Sequence, residues 1–243
     1  MLKVAKRELE YVEEEDSKIW GVGAGLRTVA LAAELLLQDK VIAVPTDTIY
    51  GLAGSARSQI AIDKIYEIKI RDKSKPLAIC VSSVEEIGKW GEIDHLHPKL
   101  LNDLLPGCYT IILRRKSQLN PALNPGIDNI GIRVPNSSFI RNVTEMAGPI
   151  ALTSANESNQ KSTLHPDEFR DLWPKLDAIF QSQPNQTMFE NGSRRGSTII
   201  DLTEKDAFKI VRHGQGFKYA TTLLYEYGYK RIHNKKIEEI ARL

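Results

Sequence analysis

Eight short apolar bursts, each four to six residues long, punctuate the 243-residue chain: Lys40 to Val44, Leu77 to Val81, Tyr109 to Leu113, Asn129 to Val134, Pro149 to Thr153, Asp177 to Phe180, Thr198 to Leu202 and Phe208 to Val211. Their length and content predict strands. Between them lie segments of helical period, from Leu26 to Gln38, from Ser58 through Ile68, from His97 to Leu105, from Ser137 to Met146, from Asp167 to Trp173 and from Lys218 to Tyr227. Ser58 is placed to cap the second helix, and Ser83 with Glu86 makes a capping-box pattern for a helix that follows. Strands and helices that interleave without an internal repeat predict an α/β fold, one domain with a mixed sheet and helices packed on it.

Several bursts run directly into short polar residues. "VPTDTIYGL" stops a strand at Pro45 and presents Thr46, Asp47 and Thr48 at its end, where α/β sheets tend to bind ligands. A plain turn would use the same residues. "LTSANES" sends the strand ending near Leu152 into Thr153, Ser154, Ala155 and Asn156, small neutral groups that let a ligand approach the backbone. "RRGSTIID" and "KIVRHGQG" place Ser197 and Arg212 at further strand ends. In "EIKIRDKSKPLAI" four cations, Lys69, Arg71, Lys73 and Lys75, fall within seven residues before a strand. The helix dipole accounts for one cation at a helix end, and four suit a polyphosphate.

The net charge of +2 does not mark a nucleic-acid binder overall, so any anion site must be local. Two cysteines, Cys80 and Cys108, are too few for a disulfide framework and favour a reducing compartment. No apolar run approaches a membrane span, and the acid-rich start resembles neither a secretory signal nor an import presequence. The default expectation is cytoplasmic, with a mitochondrial pool left open. There is no P-loop and no GxGxxG. "GVGAG" at Gly21 to Gly25 follows a polar segment, His95 and His97 lack a third metal ligand, and no catalytic triad has a local signature. The chain offers polar and cationic strand ends without an evident nucleophile.

Taken in order, "VPTDTIYGL", "KIRDKSKPLAI", "LLPGCYTIIL", "IGIRVPN", "ALTSANES", "GSTIID" and "IVRHG" resemble the YrdC-like family of threonylcarbamoyl-AMP synthases. The family's paired KxR and SxN read here as Lys69-Ile70-Arg71 and Ser154-Ala155-Asn156, and "LHPDEFRDLWPKL" is similar to the eukaryotic single-domain members. The resemblance implies a single YrdC-like domain over residues 25–228, between a polar lead-in (1–24) and a basic tail (229–243). It implies a twisted mixed sheet with flanking helices and a concave basic cavity. It also implies a reaction in which L-threonine, bicarbonate and ATP give threonylcarbamoyl-adenylate and pyrophosphate. The product would go to a separate complex that modifies tRNA. By match to the family, Lys69, Arg71, Lys75, Thr110, Ser154, Asn156, Ser162 and Arg212 would surround ATP, with Mg²⁺ on its triphosphate and no dedicated metal ligands. Thr48 and Ser197, with Arg114, would serve threonine. Arg114 and Arg133 could equally be solvated strand-end charges. No residue is expected to act as a nucleophile; Lys69, Arg71, Ser154 and Asn156 would position the substrates and stabilise charge.

The chain departs from the family at Ile70, where glycine is common, at Cys108-Tyr109 in place of the usual Pro-x of PGPxT, and at His213 in RPG. The principal rival reading is a non-catalytic module binding double-stranded RNA or tRNA through the same basic concavity; direct tRNA contact would suit either reading. A second rival is an accessory domain acting on carbamoyl-phosphate. The Ser154/Asn156 pair favours the enzyme. In the tail, Ile232, Ile237, Ile240 and Leu243 form an apolar stripe among cations, either packed on the domain or open to a partner.

Overall fold

Successive strand residues point to opposite faces of a sheet, and here both sets are apolar. Val41 and Ala43 join one buried cluster with Leu52, Ile79, Ala151 and Ile179, whereas Ile42 and Val44 join a second with Ala53, Cys80, Ile150, Leu152, Ala178 and Phe180. A sheet buried on both faces has to be covered by helices, and that requirement sets the layers. The computed structural model describes residues 18–70, 75–157, 160–182 and 193–232.

Among the described residues the strands are β1 (Ile19–Gly21), β2 (Ile42–Val44), β3 (Gly51–Ser55), β4 (Ala78–Cys80), β5 (Tyr109–Arg114), β6 (Asn129–Arg133), β7 (Ile150–Ser154), β8 (Ala178–Gln181), β9 (Thr198–Asp201), β10 (Ala207–Arg212) and β11 (Lys230–Arg231). They form one sheet in the order β1-β8-β2-β3-β7-β4-β6-β5-β9-β10-β11. Pairing is mixed: β2 with β3, β3 with β7 and β7 with β4 are antiparallel, while β2 with β8, β4 with β6 and β5 with β9 are parallel. The helices are α1 (Leu26–Leu37), α2 (Gln59–Ile68), α3 (Ile87–Trp90), α4 (Leu100–Leu104), α5 (Ser138–Ala147) and α6 (Phe217–Glu226).

Helices α1 and α5 pack together over β8, β2, β3 and β7 through Val29, Ala33, Leu36, Phe139 and Val143. On the same face, beyond Ala78 and Leu152, those helices end. Ile112 and Gly131, which pair across β5 and β6, are only half-buried there, as is Ile199 of β9. One half of this face is thus open.

The sequence predicts α2 and its cap well: the Ser58 side chain accepts the Ala61 N–H at 3.1 Å. Four details differ. Strand β3 lies in a stretch with no strand signal, and it forms because β2 and β7 flank it on both sides. The lead-in carries β1, paired with β8, and the tail begins with β11, paired with β10, so the sheet extends into both flanking segments. Ser83 makes no side-chain cap; Glu86 instead accepts the N–H and hydroxyl of Ser82 at 3.3 and 2.8 Å. The Asp167-to-Trp173 helix is a 3₁₀ segment, Pro166–Lys175, broken at Phe169. The tail stripe from Ile237 onward lies outside the described residues.

The loop between β5 and β6 is fastened to β4 by Asn124, which holds φ at +56°, a conformation asparagine tolerates. Its amide imitates a strand neighbour, accepting the Leu77 N–H and donating to the Leu77 carbonyl, both at 2.8 Å. Asn124 is 0% exposed, so deleting the amide strands two backbone groups without water. Asn124→Ala should therefore cost about 3 kcal/mol, from one to two unsatisfied buried groups, read as a lower midpoint in urea unfolding. A loss under about 0.5 kcal/mol, within the range of ordinary surface changes, would show that the staple is dispensable.

Candidate active site

The open half of the sheet holds a cavity of about 160 Å³ whose walls come from many strands: Thr46 and Thr48 after β2, Pro76 and Ala78 at β4, Thr110 of β5, Arg133 of β6, Thr153 and Ser154 of β7, Ser197 and Ile199 at β9, and Arg212 of β10. Its floor is kept low by small residues. A Cβ at Gly131 would come within 3.0 Å of Thr110 Cγ2 and 3.4 Å of Ala78 Cβ.

On one side, Thr46 Oγ1 accepts the N–H groups of Thr48 and Ile49 at 3.0 and 3.2 Å and donates to the Ile49 carbonyl at 2.6 Å. This turn aims Thr48, 0% exposed, at Arg133, whose guanidinium donates to Thr48 Oγ1 at 3.2 Å and to Asp47 Oδ1 at 2.7 Å. Asp47 accepts the Asn136 N–H at 2.9 Å with its other oxygen. Both carboxylate oxygens are thereby engaged. Arg133 Nε is buried and, among the described residues, makes no hydrogen bond.

On the opposite side, the hydroxyls of Thr110 and Ser197 lie 2.7 Å apart. Arg212 donates to the Ser197 carbonyl at 3.1 and 2.9 Å and to its hydroxyl at 3.0 Å. Burial first, and the charge of Arg133 second, lower the Arg212 pKa, so the two cations act on one space. The segment bearing Ser197 is fixed by the loop after β10: Gln215 Nε2 donates to the Arg195 carbonyl at 2.8 Å and to the Thr48 carbonyl at 3.5 Å. A second cavity of about 340 Å³ adjoins in sequence, lined in part by Asp47, Cys108, Tyr109, Asn136, Gln215 and Tyr219.

Among the described residues the cavity lining contains no histidine, cysteine or lysine. Burial pushes the Cys80 thiol up to about 12 and raises that of Cys108 as well, so neither is poised as a thiolate. Among the described residues no three His, Cys, Asp or Glu side chains gather to hold a metal. Among the described residues the lining offers two guanidiniums and several hydroxyls, groups suited to an anion, and no nucleophile.

Of the residues expected from sequence, Thr48, Thr110, Ser154, Ser197 and Arg212 meet at the cavity, and Arg133 joins them. Others do not. Arg114 sits at the far end of β5, four residues and about 13 Å from Thr110 at the usual strand rise, where it pairs with Glu204 at 3.7 Å. Lys69 is 1% exposed and donates to the carbonyls of Ser154, at 2.6 Å, and of Asn156, so it is not an open cation at the cavity wall. Asn156 is buried; its Nδ2 is spent on the carbonyls of Glu157 and Gln160. Ser162 lies off the cavity, its carbonyl accepting from Arg194 at 2.8 Å. Lys75 is exposed beside Pro76, and Arg71 lies outside the described residues, as does Lys73. "GVGAG" does follow a strand, β1, but that strand is at the opposite edge of the sheet. His95 bonds the Leu202 carbonyl and His97 packs against Tyr227 with the two rings tilted. Sequence reasoning missed Gln215 and the role of Asp47, whose partners are far along the chain; the polar run "HGQG" was the available sign.

The Sua5/YciO/YrdC family, described as telomere recombination, matches residues 34–214. The threonylcarbamoyl-AMP synthase of Bos taurus is 39% identical over 207 residues, 85% of this chain and 75% of that protein. The Homo sapiens enzyme of the same name is 39% identical over 202 residues, 82% of this chain and 72% of that protein. Among solved structures, P. abyssi Sua5 complexed with L-threonine superposes with a TM-score of 0.75 at 26% identity, covering 88% of this chain and 62% of that one. E. coli YciO, at 24% identity and a TM-score of 0.72 over 82% of this chain and 96% of its own, shares the fold.

Two substitutions test the local geometry. A Cβ at Gly214 would stand 2.3 Å from the Gly196 carbonyl oxygen and from Ser197 backbone atoms. Gly214→Ala should cost about 1–3 kcal/mol, as overpacking does, and displace Ser197; an unchanged urea midpoint would mean the loop yields freely. Ile70 holds φ at +48° with a side chain 72% exposed, so it bears left-handed strain with little burial in return. Relieving that strain, worth roughly 1–2 kcal/mol less the flexibility glycine adds to the unfolded chain, makes Ile70→Gly stabilising by about 1 kcal/mol. A lowered melting temperature would contradict it.

Proposed function

The chain belongs to the Sua5/YciO/YrdC family, and we propose that it is a threonylcarbamoyl-AMP synthase, making threonylcarbamoyl-adenylate and pyrophosphate from L-threonine, bicarbonate and ATP. The observation that carries this reading is a cavity where buried hydroxyls and two guanidiniums converge from several strands, with no nucleophile among the described residues. Such chemistry needs placement, charge neutralisation and exclusion of water. The threonine amine attacks the bicarbonate carbon, a C–N bond forms and water leaves, giving a carbamate. A carbamate oxygen then attacks the α-phosphorus of ATP. The bond to the β-phosphate bridge breaks, and pyrophosphate departs with the electron pair.

In this scheme Thr110, Ser154 and Arg212 face the nucleotide. Thr48, Ser197 and the uncommitted donors of Arg133 face threonine, Arg133 taking the part first expected of Arg114. ATP enters as its Mg²⁺ complex, because Asp47 has no free oxygen and the lining offers hydroxyls rather than carboxylates. The adenylate goes on to a separate tRNA-modifying complex in the cytoplasm. Among the described residues no helix is long and apolar enough to cross a membrane. The reading as an RNA-binding module finds no specific support in this geometry.

Pyrophosphate release from ATP should require both threonine and bicarbonate. Arg212→Ala should lower kcat/KM by roughly 10- to 150-fold, the equivalent of about 1.5–3 kcal/mol for a charge-assisted contact. A site built to bond a hydroxyl rejects the analogue without it, so valine should be far poorer than serine, and serine poorer than threonine. Equal release with threonine and valine would defeat the assignment.

A further inference from the structure

We infer that Lys69 is a positioning residue: it builds the Ser154–Asn156 turn from inside the core and does not touch a phosphate. The inference rests on the proposed nucleotide site only for its consequence; the clamp itself is present in the ligand-free fold.

Lys69 closes α2, its own N–H bonded to the Ile65 carbonyl at 3.2 Å. Its ammonium then reaches the end of β7, donating to the Ser154 carbonyl at 2.6 Å, to the Ser154 hydroxyl at 3.4 Å and to the Asn156 carbonyl. An ammonium has three donors, and these acceptors can engage all three. At 1% exposure the group has left water, which is tolerable only when its hydrogen bonds are replaced.

Two carbonyl oxygens from residues two apart converge on one nitrogen. Without a cation between them their dipoles would repel, and both would lose a partner in a buried place. Elsewhere the turn is held by main-chain bonds, Ala155 N–H to the Tyr50 carbonyl at 2.8 Å and Asn156 N–H to the Ser154 carbonyl at 3.0 Å. The Ser154 hydroxyl lines the cavity, so whatever fixes this turn fixes a wall of the site. The KxR and SxN motifs are therefore joined to each other by hydrogen bonds before any substrate arrives.

Two measurements decide it. In the unmutated, ligand-free protein, an amine-acylating reagent followed by mass spectrometry should modify Lys69 at least about tenfold more slowly than exposed Lys75, with no change on adding ATP. In Lys69→Met, which keeps an apolar stem, ligand-free hydrogen exchange of peptides spanning 152–157 should accelerate and ATP affinity by calorimetry should fall. Lys69→Arg should fail to restore either, because a wider fork does not fit a closed site, whereas Lys69→Cys alkylated with bromoethylamine should restore both. Rapid acylation that ATP suppresses, or unchanged exchange with ATP affinity recovered in Lys69→Arg, would overturn the inference in favour of direct phosphate contact. The acylation and exchange arms need no nucleotide to bind. A failure of the unmutated protein to bind ATP would therefore sink the proposed function and leave the clamp standing or falling on its own result.

Discussion

The Arg133–Asp47 ion pair organises the site. Its side chains are each 8% exposed and its partners stand 86 residues apart, one at the end of β6 and one in the turn after β2. Burying two opposite charges gains little net stability, because desolvation offsets most of the attraction. What the pair supplies is register. Asp47 holds the guanidinium and the Asn136 N–H together, and the guanidinium in turn reaches Thr48. The polar wall on that side depends on this one contact, and its cost is met by the apolar clusters on either face of the sheet.

The opposite wall is organised without a carboxylate. Arg212 leans on the carbonyl and hydroxyl of Ser197, neutral groups that orient a guanidinium but leave its charge in place. The two arginines thus differ in kind, one neutralised and one not. Among the described residues the charged side chains lining the cavity are these two arginines, although the chain as a whole carries only +2. A local field of this sort needs no basic protein around it.

Much of this was legible in sequence for a definite reason. Strands rich in Ile, Val and Leu, such as "YTIIL" and "NIGIR", announce themselves, and a polar residue at a strand end is conspicuous against that background. Thr48, Ser154, Ser197 and Arg212 stand out that way, whereas Thr110, inside a strand, comes only from the family resemblance. "GLAGS" was not, since two glycines and a serine carry no strand preference of their own and the pairing of β3 comes from its neighbours. Arg114 shares a face of β5 with Thr110 but pairs with Glu204 at the other end of the strand, as the solvated strand-end charge it could equally be. Lys69 was read as an open charge because sequence shows a lysine but not the carbonyls waiting for it. For Lys69 the deciding partners, Ser154 and Asn156, lie far along the chain.

The parallel pairing of β5 with β9 joins Tyr109 to Thr198, and the last cavity residue is Arg212. During synthesis the earlier strands can assemble while the half-bare face beside Thr110 still lacks its neighbour. The β5 edge stays unpaired until β9, Thr198–Asp201, has left the ribosome. A chain cut short before β9 would carry the KxR and SxN segments yet expose an unpaired β5 edge, the kind of surface that invites aggregation and the attention of chaperones.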